Sequence, residues 1–134
     1  MGLLKRSLGR ELMARLYAKV VGVVVFLVGI AGLFLGDEIA GLLNLDLFED
    51  IFHLVAGALL MYVGFAGSDG AVKGATMFLG IVWVVVGILG FVSEDLYGLV
   101  PHGYNLGDNI LHLVLGVLGI GVSMSRAETA VPAA

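Results

Sequence analysis

The sequence predicts an all-α membrane protein: a four-transmembrane-helix bundle made of two parallel two-helix repeats, with both termini cytoplasmic. Three observations carry that expectation: four long apolar runs, basic residues confined to alternate connections, and a second half that copies the first in order. Composition agrees. Of the 134 residues, 60% are hydrophobic and 13% charged, against roughly a quarter charged in soluble domains. So few charges cannot cover a soluble surface, whereas acyl chains accept apolar side chains on the outside. Cysteine is absent, which excludes disulfides, thiolate metal ligands and a cysteine nucleophile.

Residues 20–35, 51–68, 74–93 and 109–125 form the four runs, each close to the roughly 20 residues that cross a hydrocarbon core at about 1.5 Å per residue. Span one extends back through Leu16 and Tyr17, because the long stem of Lys19 lets its ammonium reach the headgroups. All seven Lys and Arg residues lie on one side of this map: Lys5, Arg6, Arg10, Arg15 and Lys19 before span one, Lys73 after span two, and Arg126 after span four. The other two connections carry none, yet hold Asp37, Glu38, Asp46, Glu49, Asp50, Glu94, Asp95 and Asp108. Positive residues mark the cytoplasmic side. Both ends and the 67–70 turn are therefore expected inside, and the acidic connections outside, in a multi-pass protein of the cytoplasmic membrane.

Basic residues before the first run also suit a secretory signal, but Leu35-Gly36-Asp37-Glu38 offers no small-x-small cleavage site and three spans follow, so the run is expected to be retained. Met1-Gly2 does not open a myristoylation signal, since Arg6 stands where Ser or Thr is required. Leu4, Leu8, Leu12 and Leu16 recur four apart among basic residues. That spacing fits a basic amphipathic segment on the cytoplasmic headgroups, and equally an extension of span one. The expected division is a basic cytoplasmic segment 1–15, repeat one 16–68, repeat two 69–125 and a cytoplasmic tail 126–134.

The repeat is read from ordered matches. Gly22, Gly29 and Gly32 correspond to Gly80, Gly87 and Gly90 at an offset of 58, and Glu49, His53 and Gly57 to Asp108, His112 and Gly116 at an offset of 59, with an insertion near Pro101-His102. Each repeat holds an even number of spans, so both enter the membrane in the same direction. An inverted-repeat transporter is therefore disfavoured. Gly22, Gly29 and Gly36 recur every seven residues, as do Gly80 and Gly87, a period that suits left-handed crossing of closely approaching backbones. Gly32 and Gly36 add one small-xxx-small surface, for use within the bundle or between protomers.

Two helix starts are marked by polar caps, Asp46 with Glu49 three residues on and Asn105 with Asp108 three residues on. Each pair satisfies unpaired amides and places negative charge at the positive helix end. Seven residues beyond each cap stands a histidine, His53 and His112, about 10 Å along the axis. Polar groups at that depth are internally paired or functional. The simplest account hydrogen-bonds each ring to an acid or amide one turn earlier, Glu49 or Asp50 for His53 and Asp108 or Asn109 for His112. A transition-metal site would use His53, His112, Glu49 and Asp108. A haem or pigment site would use His53 and His112, with Gly57 and Gly116 clearing a slot beside each ring. An ion or proton path is a fourth reading, opposed by spans that hold no carboxylate near the middle. No cofactor is predicted outright.

Other polar residues have plainer expectations. His102 is expected in a solvated loop, and Asp37-Glu38 and Glu94-Asp95 are expected to keep loops in water, with weak cation binding as the alternative. Tyr97 and Tyr104 are expected at the outer interface, Tyr17 and Tyr62 nearer the inner one, and Trp83 within the packing. No hydrolase triad, phosphate loop or dinucleotide fingerprint is present, so no catalytic residue is assigned and an enzyme is not expected. No basic block suits nucleic acid.

The repeated pattern His53-Leu54-Val55-Ala56-Gly57 and His112-Leu113-Val114-Leu115-Gly116, with Arg15-Leu16-Tyr17 and Asn109-Ile110-Leu111-His112, resembles a prokaryotic family of small four-span membrane proteins, domain of unknown function 4383. The resemblance covers about residues 12–124 and implies a bacterial or archaeal membrane protein with no assigned chemistry. Asp50 faces Asn109 in the repeat alignment, which weakens any symmetric role. The expected function is a structural or accessory membrane component that contacts lipid and self-associates or joins a larger complex. The alternative is a metal-, haem- or pigment-binding protein, or an ion- or proton-conducting one, using His53 and His112.

Overall fold

No proline interrupts any of the four runs, since Pro101 and Pro132 both fall outside them, and in lipid a helix satisfies every backbone group locally. The computed structural model describes residues 1–36 and 38–124. Asp37, Ser125, Arg126 and the tail 126–134 lie outside the described residues. Four helices form: α1 Gly2–Leu35, α2 Leu47–Ala66, α3 Asp69–Val92 and α4 Leu106–Ser123. A small antiparallel ribbon, β1 Glu38–Ile39 with β2 Leu43–Asn44, joins α1 to α2, and a 3-10 turn, Leu96–Gly98, lies between α3 and α4. All four helices are long and apolar enough to cross a membrane. The protein is an all-α multi-pass membrane protein.

The helices start earlier than the apolar runs, because each includes its polar first turn. No break separates residues 1–15 from span one; α1 is one helix of 34 residues, about 50 Å long at 1.5 Å per residue and so longer than the bilayer core. The basic segment thus extends the span, the second of the two readings of its leucine spacing.

Lipid inverts the usual volume pattern. The buried face of α1 is Ala14, Ala18, Gly22, Val25, Gly29 and Gly32, while Leu16, Leu27, Leu33 and Phe34 point outward. Small residues face inward because helices in lipid associate through close backbone contact. A Cβ added to Gly22 would stand 2.8 Å from the Met61 amide nitrogen, one at Gly29 2.8 Å from the Asp50 carbonyl, and one at Gly57 2.5 Å from the Phe26 amide nitrogen. The corresponding positions of α3 and α4 make corresponding contacts: Gly80 meets Ile120, Gly87 meets Asn109 and Leu113, and Gly116 meets Val84. Gly36 departs from the seven-residue series. It ends α1 at φ +88°, and a Cβ there would meet nothing within 4 Å, so Gly36 is not a close helix contact within the bundle, whereas Gly32 seats the Asp50 carboxylate.

Packing is therefore tight within the α1–α2 and α3–α4 hairpins and sparser between them. The seam holds the larger buried side chains, Leu60, Leu79 and Trp83, with Ala18, Ala56 and Val72. Tyr17 crosses it and donates a hydrogen bond to the Leu115 carbonyl at 2.6 Å. Gly119 lies against the phenol, where a Cβ would stand 2.9 Å from Oη, so Tyr17 ties hairpins together instead of marking an interface. At the end bearing the α2–α3 turn, Arg15 donates to the Gly64 and Gly67 carbonyls at 3.1 and 3.0 Å and pairs with Asp69 at 2.6 Å. One guanidinium thus occupies carbonyls left free at the end of α2. Ser68 caps α3 by accepting from the Ala71 amide.

Close approach makes a prediction. Gly57→Ala overpacks the α1–α2 contact and should lower unfolding stability in detergent by about 1–3 kcal/mol. Gly121→Ala, with open space around its α carbon, should be neutral or stabilising by up to about 1 kcal/mol. Equal losses at the two positions in thermal melts would contradict the packing account.

Candidate functional site

Seven of the eight buried polar side chains among the described residues gather at the end that carries the two longer loops: Asp46, Glu49, Asp50, His53, Asp108, Asn109 and His112. Thr76 is the eighth. Helix starts place six of them there, since the first two turns of α2 and α4 carry acids and histidines at matching depth.

The two helix starts are capped differently. Asn105 and Asp108 form the expected capping box, with Asp108 N to Asn105 Oδ1 at 3.0 Å and Asn105 N to Asp108 Oδ2 at 2.8 Å. Asp46 is the N-cap of α2 by position but makes no side-chain cap bond. Its carboxylate instead accepts from the His102 amide at 3.1 Å and contacts His102 Nδ1 at 2.5 Å. The expectation of a capping carboxylate at Asp46 is corrected, because the insertion in the second half supplies its partner, while His102 itself lies in an exposed loop as expected. Glu49 is not a capping residue either, because it turns inward.

Asn44 ties the loops further. Its amide nitrogen donates to both Asp108 oxygens at 3.2 Å, and its side-chain nitrogen donates to the Gly103 carbonyl at 2.9 Å. Asn105 Nδ2 reaches Asn44 Oδ1 at 3.3 Å. These bonds close a polar lid over the end of the seam. Asp95 serves its own turn, accepting from the Tyr97 amide and the Ser93 hydroxyl.

Beneath the lid the histidines meet. Their ring centroids are 6.2 Å apart with planes inclined by 33°. Glu49 Oε1 lies 3.9 Å from His53 Nε2 and 3.7 Å from His112 Nε2, beyond hydrogen-bond length in both cases. The three residues expose 4%, 8% and 5% of their surface. One donor atom from each falls within 4.8 Å of the others. His112 therefore faces Glu49 of the opposite hairpin, not the Asp108 or Asn109 expected from local spacing. Asp108 stands outside the cluster because capping and Asn44 use its oxygens. Among the described residues, Glu49 Oε2 and both histidine Nδ1 atoms have no hydrogen-bond partner; Tyr104 packs edge-on against His112 at 5.1 Å and Phe52 against His53 at 6.4 Å.

Tyr104 is thus buried at the seam and not at an outer interface, while Tyr97 is 76% exposed. Burial first, and then the neighbouring Glu49, Asp108 and Asp46 carboxylates, push the Tyr104 phenol above its ordinary value. It remains a neutral hydroxyl.

Gly57 and Gly116 do not clear slots beside the rings. They are filled by the backbones of α1 and α3, so no macrocycle slot exists at those positions. Open volume lies instead on either side of the histidine pair. One cavity, of about 240 Å³, is bounded by valines of α1 and by Leu111 and Leu115 of α4. Another, of about 300 Å³, lies between α2 and α3 and includes Phe52 and Trp83. Glu49, His53 and His112 border both.

With this geometry described, residues 2–66 match the family model for Domain of unknown function (DUF4383). That segment, just under half of the chain, is what resembles the family. It comprises α1, the ribbon and α2, and so includes Arg15, Tyr17, Glu49 and His53 but not His112. No curated protein and no solved structure matches the chain.

The Asp108 carboxylate joins the Asn105 amide at the start of α4 to the Asn44 amide of the opposite loop. Asp108→Ala should lower unfolding stability by about 1–2 kcal/mol, whereas Asp95→Ala, at an exposed turn, should change it by less than about 0.5 kcal/mol. Thermal unfolding of both variants checks this ranking, and reversal of their order would contradict the lid's structural role.

Proposed function

We propose that the protein is a small accessory membrane protein whose Glu49, His53 and His112 form a binding site for one divalent transition ion of zinc-like character. The observation that carries this reading is the convergence of three buried donor atoms from both hairpins, none hydrogen-bonded to another. A buried carboxylate without a partner is costly. A cation among these groups relieves that cost.

The donor set suits the chemistry. Two imidazoles and a carboxylate, with a further coordination position free, satisfy zinc at bonds of about 2.0–2.2 Å, which sets donor separations of about 3.3 Å in a tetrahedron. From the present spacing, shifts of about 0.5–1 Å per side chain would close that set. Edge contacts from Tyr104 and Phe52 support ring orientation where side-chain hydrogen bonds to Nδ1 are lacking. A conduction path has less support, since the buried polar residues concentrate at one end.

The charge pattern supports placing this site on the outer side of the cytoplasmic membrane, with both ends inside. The exposed leucines and phenylalanines fit lipid contact. Association with a second copy or a larger complex remains part of the accessory role.

Two measurements test these readings. Cobalt titration of purified, chelator-treated protein should give one equivalent with visible bands of low-symmetry Co²⁺, and His53→Ala/His112→Ala should weaken binding by at least about 100-fold. Absence of saturable cobalt or zinc binding in the unsubstituted protein would remove the metal reading. Since no native cysteine is present, Ser68→Cys and Glu94→Cys can be labelled in intact cells with an impermeant maleimide. Glu94→Cys should react and Ser68→Cys should not; the opposite pattern would reverse the orientation.

A further inference from the structure

The cavity between α1 and α4 has an aliphatic wall and a side opening. Val21, Val25 and Val28 of α1 and Leu115 of α4 form its recessed wall. Val20, Val24 and Leu111 border it too, and they also reach the molecular surface. Glu49, His53 and His112 stand at its edge, but their polar atoms contribute almost nothing to the open wall. The cavity across the seam differs, being walled by the rings of Phe52, Trp83 and Tyr104 and opening beside Tyr97 and Leu99 at the loop end.

Depth decides what stands at the opening. From Val20 to Val28 the wall runs about 12 Å along α1, and Val28 and Leu111 lie about 10 and 8 Å inside the loop ends of their helices. Both helices are long and apolar enough to cross a membrane, so the mouth between Val24 and Leu111 faces hydrocarbon and not water or headgroups.

Three occupancies can be compared. An unfilled space of this size forfeits dispersion contacts all around its wall. Water needs two to four polar partners, which this wall does not offer. An acyl chain needs none, and it is the solvent at the mouth. The volume is about 240 Å³. A cavity of roughly 150 Å³ admits the six carbons of benzene, so this one accepts a stretch of about nine carbons, roughly half of a common acyl chain.

From these observations we infer that the α1–α4 cavity is a binding site for one acyl chain of a phospholipid in the leaflet that borders the two longer loops. The distal half of the chain enters between Val24 and Leu111 and lies along Val21, Val25 and Leu115, while the headgroup stays outside the bundle. The chain thereby supplies, on one side of the sparsely packed seam, contacts that the two hairpins do not make with each other. This inference stands apart from the metal reading, because valine and leucine offer no donor to a metal.

Photolabelling tests the assignment. Phosphatidylcholine with a diazirine in the distal half of one chain is placed in nanodiscs with the purified protein and irradiated, and labelled residues are read by peptide mass spectrometry. Val25, 5% exposed, and Leu115 should be labelled along with the lipid-facing Val117, 61% exposed. Val21→Phe, which fills the cavity, and Leu111→Trp, which closes its mouth, should each cut labelling of Val25 and Leu115 by about fivefold or more and leave Val117 unchanged. Labelling of Val117 without Val25 or Leu115, or recessed labelling unchanged in a folded variant, would overturn the assignment. If one variant loses its helical spectrum, the other decides. Loss of the recessed labelling on adding one equivalent of oleate would assign the cavity to a free fatty acid and overturn the phospholipid. Working in chelator keeps the result independent of the metal reading, whose failure would leave this labelling pattern intact.

Discussion

Close approach of helix backbones within each hairpin is the constraint on which the rest depends. Lipid tails are as apolar as leucine, so helices gain little from hiding leucine from lipid and must gain from contact instead. Gly22, Gly29 and Gly57 bring α1 and α2 to backbone distance, as Gly80, Gly87 and Gly116 do for α3 and α4. That choice leaves little side-chain volume inside a hairpin. The larger buried residues, Leu60, Leu79 and Trp83, consequently fill the seam between hairpins. Irregular side chains fill a gap less completely than backbone contact does, and both cavities beside the histidines occur there.

Corresponding positions depart from symmetry in chemically small steps with large consequences. Glu49 corresponds to Asp108, one methylene shorter. The longer side chain reaches both imidazoles, whereas the shorter one stays at the helix start and caps it. Asp46 corresponds to Asn105, and here the amide caps while the carboxylate leaves for His102. Asp50 and Asn109 keep the same seat, each over a glycine of the partner helix, Gly32 or Gly90. Equivalence of position therefore holds for packing and fails for the polar site. A charged donor set assembled from one copy of each histidine and a single glutamate is intrinsically asymmetric.

How much was legible follows from the range of each interaction. The four helices, the close contacts at Gly22, Gly29, Gly80 and Gly87, the Asn105 cap and the depth of the histidines are set by local sequence and period, and all could be read before the fold was known, whereas Gly57 and Gly116 were expected beside the rings and meet helix backbones instead. Three contacts could not. Arg15 looked like a topological charge, yet it binds carbonyls about fifty residues away. Tyr17 looked like an interface residue, but Gly119 admits it to the opposite hairpin. His112 has acids and amides within one turn, and its nearest carboxylate comes instead from Glu49 in the other hairpin. Only the crossing of α2 and α4 decides that, and no spacing within one helix reports it. Trp83 was legible as a packing residue, but its unpartnered nitrogen emerges only from its surroundings.

The location of the site has a thermodynamic consequence. Neither hairpin holds the Glu49–His53–His112 set alone, since α2 provides two donors and α4 the third. The seam they share is also the less densely packed contact of the bundle, tied by the Tyr17 bond at one level and by the Asn44 and Asp46 lid at another. Any ligand that requires all three donors binds the closed seam and not the parted hairpins. It must then stabilise closure by an amount that rises with its free concentration. Conversely, weakening the lid would reduce apparent affinity without touching a donor, because a smaller fraction of molecules would be competent to bind. Bundle assembly and ligand affinity are thus one linked equilibrium, with the tightly packed hairpins acting as nearly rigid bodies on either side.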